Sequence, residues 1–142
     1  SDLKLVVDLA GLFKGGAKEA IKFTPGTAET KSKALGSLND YVHSPSVLRI
    51  DNPDMGVPPV GYAFWERLAV LLPVGRVVCC CVGGHGRTGT ALAALMIATD
   101  LKITAKEAIK NVRDLHCENA IESSTQEKYL ELLAKERDNQ EG

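Results

Sequence analysis

Residues 77–89 have the sequence VVCCCVGGHGRTG, in which a fully apolar run is followed directly by a glycine-rich stretch. An apolar run that starts with two valines is typical of a strand buried on both faces. A glycine-rich connection from such a strand to a helix binds anions, because its N–H groups converge and the helix dipole favours negative charge. This stretch therefore predicts an α/β protein with a phosphate-like ligand at residues 82–88.

Patterns on either side of this stretch predict the remaining elements. Strands are expected at residues 5–9, 47–50 and 77–81, with a short helix at 17–23 in an otherwise irregular region. Residues 51–59 (DNPDMGVPP) contain three prolines and a glycine, which predict a loop. Helices are expected at 60–72 and 89–99, from a capping box of Thr104 and Glu107 to 115, and from Ser123 or Ser124 to 137. This order indicates an α/β fold with a central, mostly parallel sheet flanked by helices.

The bulk composition is that of one ordinary globular domain. The 142 residues are 44% apolar and 25% charged, and this length suits a single core. A formal net charge of -1 argues against general binding to nucleic acid or to membrane surfaces, which usually requires a strong basic excess. We therefore expect no nucleic-acid partner. We also expect no membrane span, because no segment approaches the roughly 20 apolar residues that cross a bilayer.

Three of the four cysteines are adjacent in sequence, at Cys79, Cys80 and Cys81, and the fourth is Cys117. Neighbours on a strand point to opposite faces, so this run is a poor disulfide framework, and its spacing is not that of a structural zinc site. The first residues also lack the basic start and long apolar core of a secretory signal. We therefore expect reduced thiols, a cytoplasmic location and no bound metal.

Three kinds of phosphate-binding loop fit parts of the glycine-rich stretch. Gly84, Gly86 and Gly89 spell the GxGxxG of a dinucleotide-binding fold, but the segment from Thr104 is predicted to be a helix rather than that fold's second strand. The nucleotide-binding P-loop requires lysine before its Ser or Thr, and here an arginine stands in that place with different glycine spacing. The third pattern is C-x5-R.

Cys81 and Arg87 form the C-x5-R pattern, and the chemistry of a cysteine-based phosphatase requires this arrangement. Loop N–H groups, a helix N-terminus and a nearby arginine lower the pKa of a thiol below its ordinary value of about 8.5, so we expect Cys81 to be a thiolate. A planar guanidinium holds two phosphate oxygens and follows their charge in the transition state. The cysteine also ends an apolar strand, and Thr88 supplies a hydroxyl directly after the arginine. Together these features favour the third pattern.

The motif CVGGHGRTG resembles the HCxxGxxR[ST] signature of the protein-tyrosine and dual-specificity phosphatases, and its GxGRTG form is typical of the compact dual-specificity branch. The resemblance extends over about residues 50–133. It implies a single cysteine-phosphatase catalytic domain over residues 1–142, a strand–P-loop–helix site, and hydrolysis of phosphomonoesters without a metal or other cofactor. The residues it assigns to the site are the nucleophile Cys81, the phosphate clamp Arg87, the thiolate-stabilising Thr88, and the substrate-binding residues Val82, Gly83, Gly84, His85 and Gly86.

The family takes a proton from an aspartate in a loop that precedes the nucleophile. The resemblance favours Asp54, since residues 53–59 (PDMGVPP) look like the family's PD-aromatic-x-PP stretch, and Asp51 is the alternative. In that mechanism Cys81 forms a phosphocysteine, and Asp54 protonates the leaving group and then activates water. Gln126 stands where the family often has a glutamine near this water, although an exposed position in a capping box accounts for it equally well.

Two positions depart from the family pattern. Cys80 replaces the histidine that usually precedes the nucleophile and orders the loop, and we expect it to pack in the core. His85 stands where phosphoinositide-directed relatives carry lysine, although a solvent-facing position on the rim also accounts for it. The expected partner is a phosphorylated protein or a small phosphorylated substrate. A phosphoinositide, inositol-phosphate, nucleotide or RNA phosphatase and a catalytically weak phosphate-binding module are the alternatives.

Overall fold

A computed structural model describes residues 3–9, 17–21, 46–50, 55–70, 76–80 and 86–141. These residues form four strands and four helices. The strands are β1 (Leu3–Asp8), β2 (Ala17–Ile21), β3 (Ser46–Ile50) and β4 (Arg76–Cys80). The helices are α1 (Tyr62–Ala69), α2 (Gly86–Thr99), α3 (Ala105–Leu115) and α4 (Ser124–Glu141).

The four strands form one sheet in the order β2-β3-β1-β4, and every pairing between them is parallel. Strand β1 is central, so that Val7 pairs with Leu48 on one side and with Cys79 on the other. Parallel neighbours cannot be joined by a tight turn and need long crossover connections. The α/β class and the parallel sheet expected from the apolar runs are confirmed, with strand ends shifted by one or two residues.

Strand β2 lies where the sequence predicts a short helix at 17–23. Its sequence, AKEAI, consists mostly of residues that favour helices over strands. The backbone nevertheless pairs with β3, from Ala17 opposite Val47 to Ile21 opposite Ile50. Pairing with a neighbouring strand satisfies the backbone polar groups and outweighs the weak local preference. The predicted helix is therefore wrong over the described residues 17–21.

Helix α2 lies at the centre of the described helices and packs against β4, α1, α3 and α4. It is buried on most of its surface, as expected for a helix that is apolar all round. It ends at Thr99 as predicted but begins at Gly86, three residues before the predicted start. Within the described ranges, no helix is both long and apolar enough to cross a membrane.

Helix α1 is shorter than the predicted helix at 60–72. Gly61 is its N-cap, and the N–H of Val70 already donates to the carbonyl of Arg67 at 3.2 Å, which closes the last turn. The buried face of the helix consists of Tyr62, Phe64, Trp65 and Leu68. The Phe64 and Trp65 rings meet edge to face with centroids 5.1 Å apart, a favourable aromatic geometry. This face attaches α1 to the core.

Capping boxes begin both α3 and α4. The Thr104 hydroxyl accepts from the N–H of Glu107, whose carboxylate accepts from the N–H of Thr104, as the sequence predicts. At α4, Ser123 Oγ accepts from the N–H of Gln126 at 3.1 Å, and the N–H of Ser123 donates to Gln126 Oε1 at 3.2 Å. Ser123, rather than Ser124, is therefore the residue that caps α4.

Helix α4 extends to Glu141, beyond the predicted end at 137. Arg137 does not face solvent, because its side chain is only 4% exposed. Its Nη1 donates to the carbonyls of Ile97 and Asp100, at 3.2 and 3.0 Å, where α2 ends. A cation at this position satisfies carbonyls that have no partner within the helix and opposes the negative end of the helix dipole. The contact fixes α4 along the far end of α2.

Candidate active site

The carboxyl ends of β1, β3 and β4 lie at one edge of the sheet because the strands are parallel. Asp8, the last residue of β1, pairs with Cys80, the last residue of β4. Five residues, 81–85, separate Cys80 from Gly86, the first residue of α2. Open α/β sheets bind ligands beyond the carboxyl ends of their strands. The motif found in the sequence therefore connects a strand to a helix N-terminus at the edge where such folds bind ligands.

Arg87 lies in the first turn of α2, beside the end of β1. Its side chain is half-buried, and Nη1 donates to the carbonyl of Leu9 at 3.3 Å. Leu9 directly follows β1 and is fully buried, so this bond ties the guanidinium to the edge of the sheet. Thr88 follows in the same turn and is also buried. The first turn of α2 itself contains no acidic residue, so Arg87 and the helix dipole contribute a positive field there, which the carboxylate of Glu122 beside Gly86 partly opposes.

Residues 120–123, which precede α4, pack against the first turn of α2; we call them the platform. A Cβ atom placed on Gly89 would lie 2.8 Å from the Cβ of Ala120. A Cβ atom placed on Gly86 would lie 2.5 Å from Oε1 of Glu122. The two glycines thus allow the platform to pack closely against a helix, and they do not form a turn. This use of glycine explains why α2 begins at Gly86 although the sequence predicts a glycine-rich loop up to residue 88.

Arg113 of α3 holds the platform. Its Nε donates to the carbonyl of Ala120 and its Nη2 to the carbonyl of Ile121, both at 2.9 Å. Nη2 also lies 3.3 Å from Glu127 Oε1. Ile121 has a φ of 61°, a left-handed conformation that is strained for a β-branched residue. Because its side chain is buried and its carbonyl is bound, the surroundings hold Ile121 in this conformation.

Residues 55–61 lead into α1, and their first part lies against the start of α4. Ser123 Oγ donates to the carbonyl of Met55 at 2.7 Å, and Gln126 Nε2 donates to the carbonyl of Gly56 at 3.1 Å. Gln126 is fully buried, so the exposed position considered from the sequence is wrong, whereas its part in a capping box is confirmed. Its place near a hydrolytic water stays a prediction.

The last part of the same segment is fixed by Tyr129 of α4. The Tyr129 hydroxyl donates to the carbonyl of Val60 at 2.6 Å and accepts from Trp65 Nε1 at 2.7 Å. Burial raises the pKa of Tyr129 far above its ordinary value, so the hydroxyl stays protonated and keeps donating to Val60. Side chains of α4 and its cap thus hold both ends of the 55–61 segment.

Three of the residues predicted for the site are described, and they lie together in the first turn of α2: Gly86, Arg87 and Thr88. The other predicted residues lie outside the described residues; they are Asp51, Asp54, Cys81, Val82, Gly83, Gly84 and His85. Their roles stay predictions.

Arg113, Ser123 and Tyr129 shape this region but are not among the residues predicted for the site. The capping pattern locates Ser123 at a helix start, yet it contains no sign of a contact 68 residues away. Arg113 lies in the last turn of α3, where a basic residue is usual, so its type gives no signal. Only the fold brings these side chains to the platform and the 55–61 segment.

Solved structures of the protein-tyrosine-phosphatase type are similar to this chain. The crystal structure of Tk-PTP in the active form has 19% identity and a TM-score of 0.55, and the match covers 94% of this chain and 80% of that one. The crystal structure of PTPMT1 has 20% identity and a TM-score of 0.61, covering 98% and 80%. The structure of PTPMT1 in complex with PI(5)P has 18% identity and a TM-score of 0.61, covering 99% and 81%. The chain therefore has the α/β fold of these phosphatases.

Two curated proteins of Methanocaldococcus jannaschii are similar to part of the chain. The uncharacterized protein MJ0215 is 43% identical over 55 residues, which are 39% of this chain and 32% of that protein. The uncharacterized protein MJECL20 is 39% identical over 62 residues, which are 44% of this chain and 40% of that protein. The match thus spans well under half the length of either relative. No protein-family profile matches the chain.

Proposed function

We propose that this chain is a metal-independent phosphomonoester hydrolase of the protein-tyrosine or dual-specificity type, acting through a phosphocysteine intermediate on Cys81. The observation that supports this most is the position of Arg87 in the first turn of the helix after β4, bonded to the carbonyl of Leu9 at the end of β1. In the C-x5-R motif of Arg87, Cys81 is the residue directly after β4 in sequence. The similarity in fold to solved phosphatases supports the same assignment.

Arg87 would act as the phosphate clamp. A guanidinium presents N–H donors in a planar fork, and the bond from Nη1 to the carbonyl of Leu9 orients its plane. The fork can bind two phosphate oxygens at once and keep them as negative charge develops. The same positive field, together with the N-terminus of α2, favours the thiolate form of a cysteine. One arrangement thus serves both substrate binding and activation of the nucleophile.

In the first chemical step, the Cys81 sulfur attacks phosphorus, the S–P bond forms, and the P–O bond to the leaving group breaks. Asp54 gives its proton to the departing oxygen. In the second step, water attacks phosphorus and passes a proton to Asp54, and the S–P bond breaks with its electron pair returning to sulfur. Inorganic phosphate leaves, and the enzyme regains its thiolate and its protonated acid. The proposal assigns no role to a metal or cofactor.

The substrate we propose first is a phosphorylated protein, with phosphoinositides as the second candidate. A phosphoinositide is favoured as the second candidate because a solved structure similar to this chain, that of PTPMT1, contains PI(5)P. Hydrolysis of a phosphotyrosine peptide and of a short-chain soluble PI(5)P, compared through kcat/KM on the same preparation, would decide between them. A ratio above about a hundred either way identifies the preferred class, since this corresponds to about 2.7 kcal/mol of transition-state binding.

Hydrolysis of p-nitrophenyl phosphate in the presence of EDTA tests the activity itself. We expect Cys81→Ser to abolish turnover and Arg87→Lys to lower kcat/KM strongly, because lysine lacks the planar fork. Asp54→Asn should lower kcat by about a hundredfold or more, the usual contribution of a general acid. Asp51→Asn is the matched control and should change kcat little.

The contrary outcomes separate the alternatives. Turnover that survives Cys81→Ser would show that the nucleophile is wrong. A large loss in Asp51→Asn with none in Asp54→Asn would move the acid to Asp51. A wild-type chain that binds vanadate but hydrolyses no ester would instead be a phosphate-binding module.

A further inference from the structure

The start of α4 holds two consecutive carbonyls of the chain that follows Asp54. The donors are Ser123 Oγ, to Met55, and Gln126 Nε2, to Gly56. Their acceptors are backbone atoms 68 and 70 residues away in sequence, so these bonds are tertiary contacts beyond the capping of α4. Side-chain changes within residues 55–56 would leave the acceptors in place.

The orientation of the Gln126 carboxamide is determined by its partners. Its Oε1 accepts from the N–H groups of Glu122 and Ser123, at 2.8 and 3.2 Å, while its Nε2 donates to Gly56. Backbone N–H groups only donate and carbonyls only accept, so a reversed amide would lose all three bonds. Because Gln126 is fully buried, water does not readily replace a lost partner.

Met55 has a φ of 62°, a left-handed conformation that residues other than glycine rarely adopt. Its side chain is 46% exposed, so packing of the side chain contributes little to holding this conformation. A strained backbone persists only where its surroundings hold it. The bond from Ser123 to the Met55 carbonyl provides such a hold, one residue after Asp54.

Gln126 also contacts the helix that carries Arg87, since a Cβ atom on Gly86 would lie 3.2 Å from Gln126 Nε2. We propose that Ser123 and Gln126 are positioning residues for proton transfer, because they hold residues 55 and 56, the chain immediately after the general acid Asp54, beside the first turn of α2. The inference rests on the proposed function, in which Asp54 protonates the leaving group. Under this proposal, Ser123 and Gln126 support proton transfer by positioning the acid, in addition to capping α4.

A positioning role predicts an effect that depends on the leaving group. Phenolate needs the proton of the acid more than the less basic p-nitrophenolate does. We expect Ser123→Ala to lower kcat about tenfold on phenyl phosphate and no more than about twofold on p-nitrophenyl phosphate, with KM unchanged. Ser124→Ala makes the same change at the next, exposed residue and should leave both rates at the wild-type level.

Gln126→Glu tests the second bond. A carboxylate keeps an oxygen acceptor for the two platform N–H groups but cannot donate to Gly56 while ionised. We expect the same dependence on the leaving group as for Ser123→Ala. Thermal denaturation shows whether each variant is folded, and Ser123→Ala, at a half-buried position, keeps the test available if the buried carboxylate prevents folding.

The deciding measurement repeats Ser123→Ala in an Asp54→Asn background. If Ser123 acts through Asp54, the hydroxyl has no further effect on kcat once the acid is gone. Equal losses on both esters, or a loss that persists in the Asp54→Asn background, would overturn the proposal and leave Ser123 a purely structural cap. Failure of the proposed function is recognised separately, because either Cys81→Ser would then retain activity or the wild type would hydrolyse neither ester.

Discussion

Tyr129→Phe removes one hydroxyl that has two buried partners. The Trp65 indole N–H loses its acceptor, and the Val60 carbonyl loses its donor. Trp65 is fully buried and Val60 is 4% exposed, so water does not readily replace the hydroxyl at either group. The ring itself keeps its packing, because phenylalanine has the same shape apart from the missing oxygen.

The magnitude follows from the two groups left without partners. Each buried polar group that loses its partner costs about 1–3 kcal/mol, which gives about 2–6 kcal/mol for the pair. In a domain of this size each kcal/mol lowers Tm by about 3 °C, so Tm should fall by about 6–18 °C. Chemical denaturation of the wild type and of Tyr129→Phe measures the free energy of unfolding. Glu136→Gln is the control, since it keeps an acceptor oxygen for the N–H of Tyr62 and should change stability far less.

The pH dependence provides a second readout of the same bond. Burial raises the pKa of Tyr129 in the folded chain, whereas in the unfolded chain the phenol ionises near its ordinary value of about 10. The stabilisation from the hydroxyl is therefore complete below pH 10 and is lost as the pH rises above it. The wild type should lose stability above pH 10 more steeply than Tyr129→Phe does. If the free energies of unfolding of the variant and the wild type agree within about 0.5 kcal/mol, the buried hydrogen bonds contribute less to stability than their geometry implies.

Three further variants test other contacts by chemical denaturation. Gly89→Ala places a Cβ 2.8 Å from the Cβ of Ala120. The overpacking should outweigh the gain in helix propensity and lower the free energy of unfolding by about 1–2 kcal/mol. An unchanged stability would contradict the close contact. Thr104→Ala should lower the free energy of unfolding by about 1 kcal/mol and leave activity unchanged, whereas Thr104→Ser keeps the capping hydroxyl and should retain most of this stability. Equal losses in the two variants would rule out a role of the cap. Arg137→Met removes the side-chain donor from the carbonyls of Ile97 and Asp100, of which the second also accepts from the N–H of Ile103, and should cost about 1–3 kcal/mol. Asp138→Asn, the control for its exposed ion pair, should change stability by less than about 0.5 kcal/mol; a larger change would locate the stabilisation in that pair.

Local patterns predicted β3, β4 and the caps because the physical causes are local. The apolar run at 77–81 matches β4 closely, and the β-branched and aliphatic residues at 47, 48 and 50 identify β3 although Arg49 interrupts them. The Thr104 capping box is complete within four residues, so its pattern identifies both partners.

Predictions failed where a distant segment determined the outcome. Residues 17–21 are helix formers that pair with β3, and no local pattern contains that partner. Gly86 was predicted to lie in the glycine-rich loop, but it begins α2, where Glu122 of the platform occupies the space that a side chain at this position would need.

The candidate site divides in the same way. The placement of Gly86, Arg87 and Thr88 between an apolar strand and a helix follows from the order of residues along the chain, whereas their position inside the first helical turn was not predicted. The bond from Arg87 to Leu9 joins residues 78 positions apart, and the contacts of α4 with the 55–61 segment join residues about 70 apart. A single sequence carries no signal for such pairs, so the surroundings of the motif became known only with the fold.

The contacts of α4 also constrain when the site can form during synthesis on the ribosome. The side chains from Ser123 to Arg137 emerge after the carbonyls that they bind, which belong to Met55, Gly56, Val60 and Ile97. A nascent chain that ends before Ser123 already contains the C-x5-R motif, yet its carbonyls at 55, 56 and 60 still lack their donors. Since domains fold as units, the motif gains these surroundings only when α4 leaves the exit tunnel. The growing polypeptide therefore cannot complete the surroundings of the motif until translation has passed Arg137.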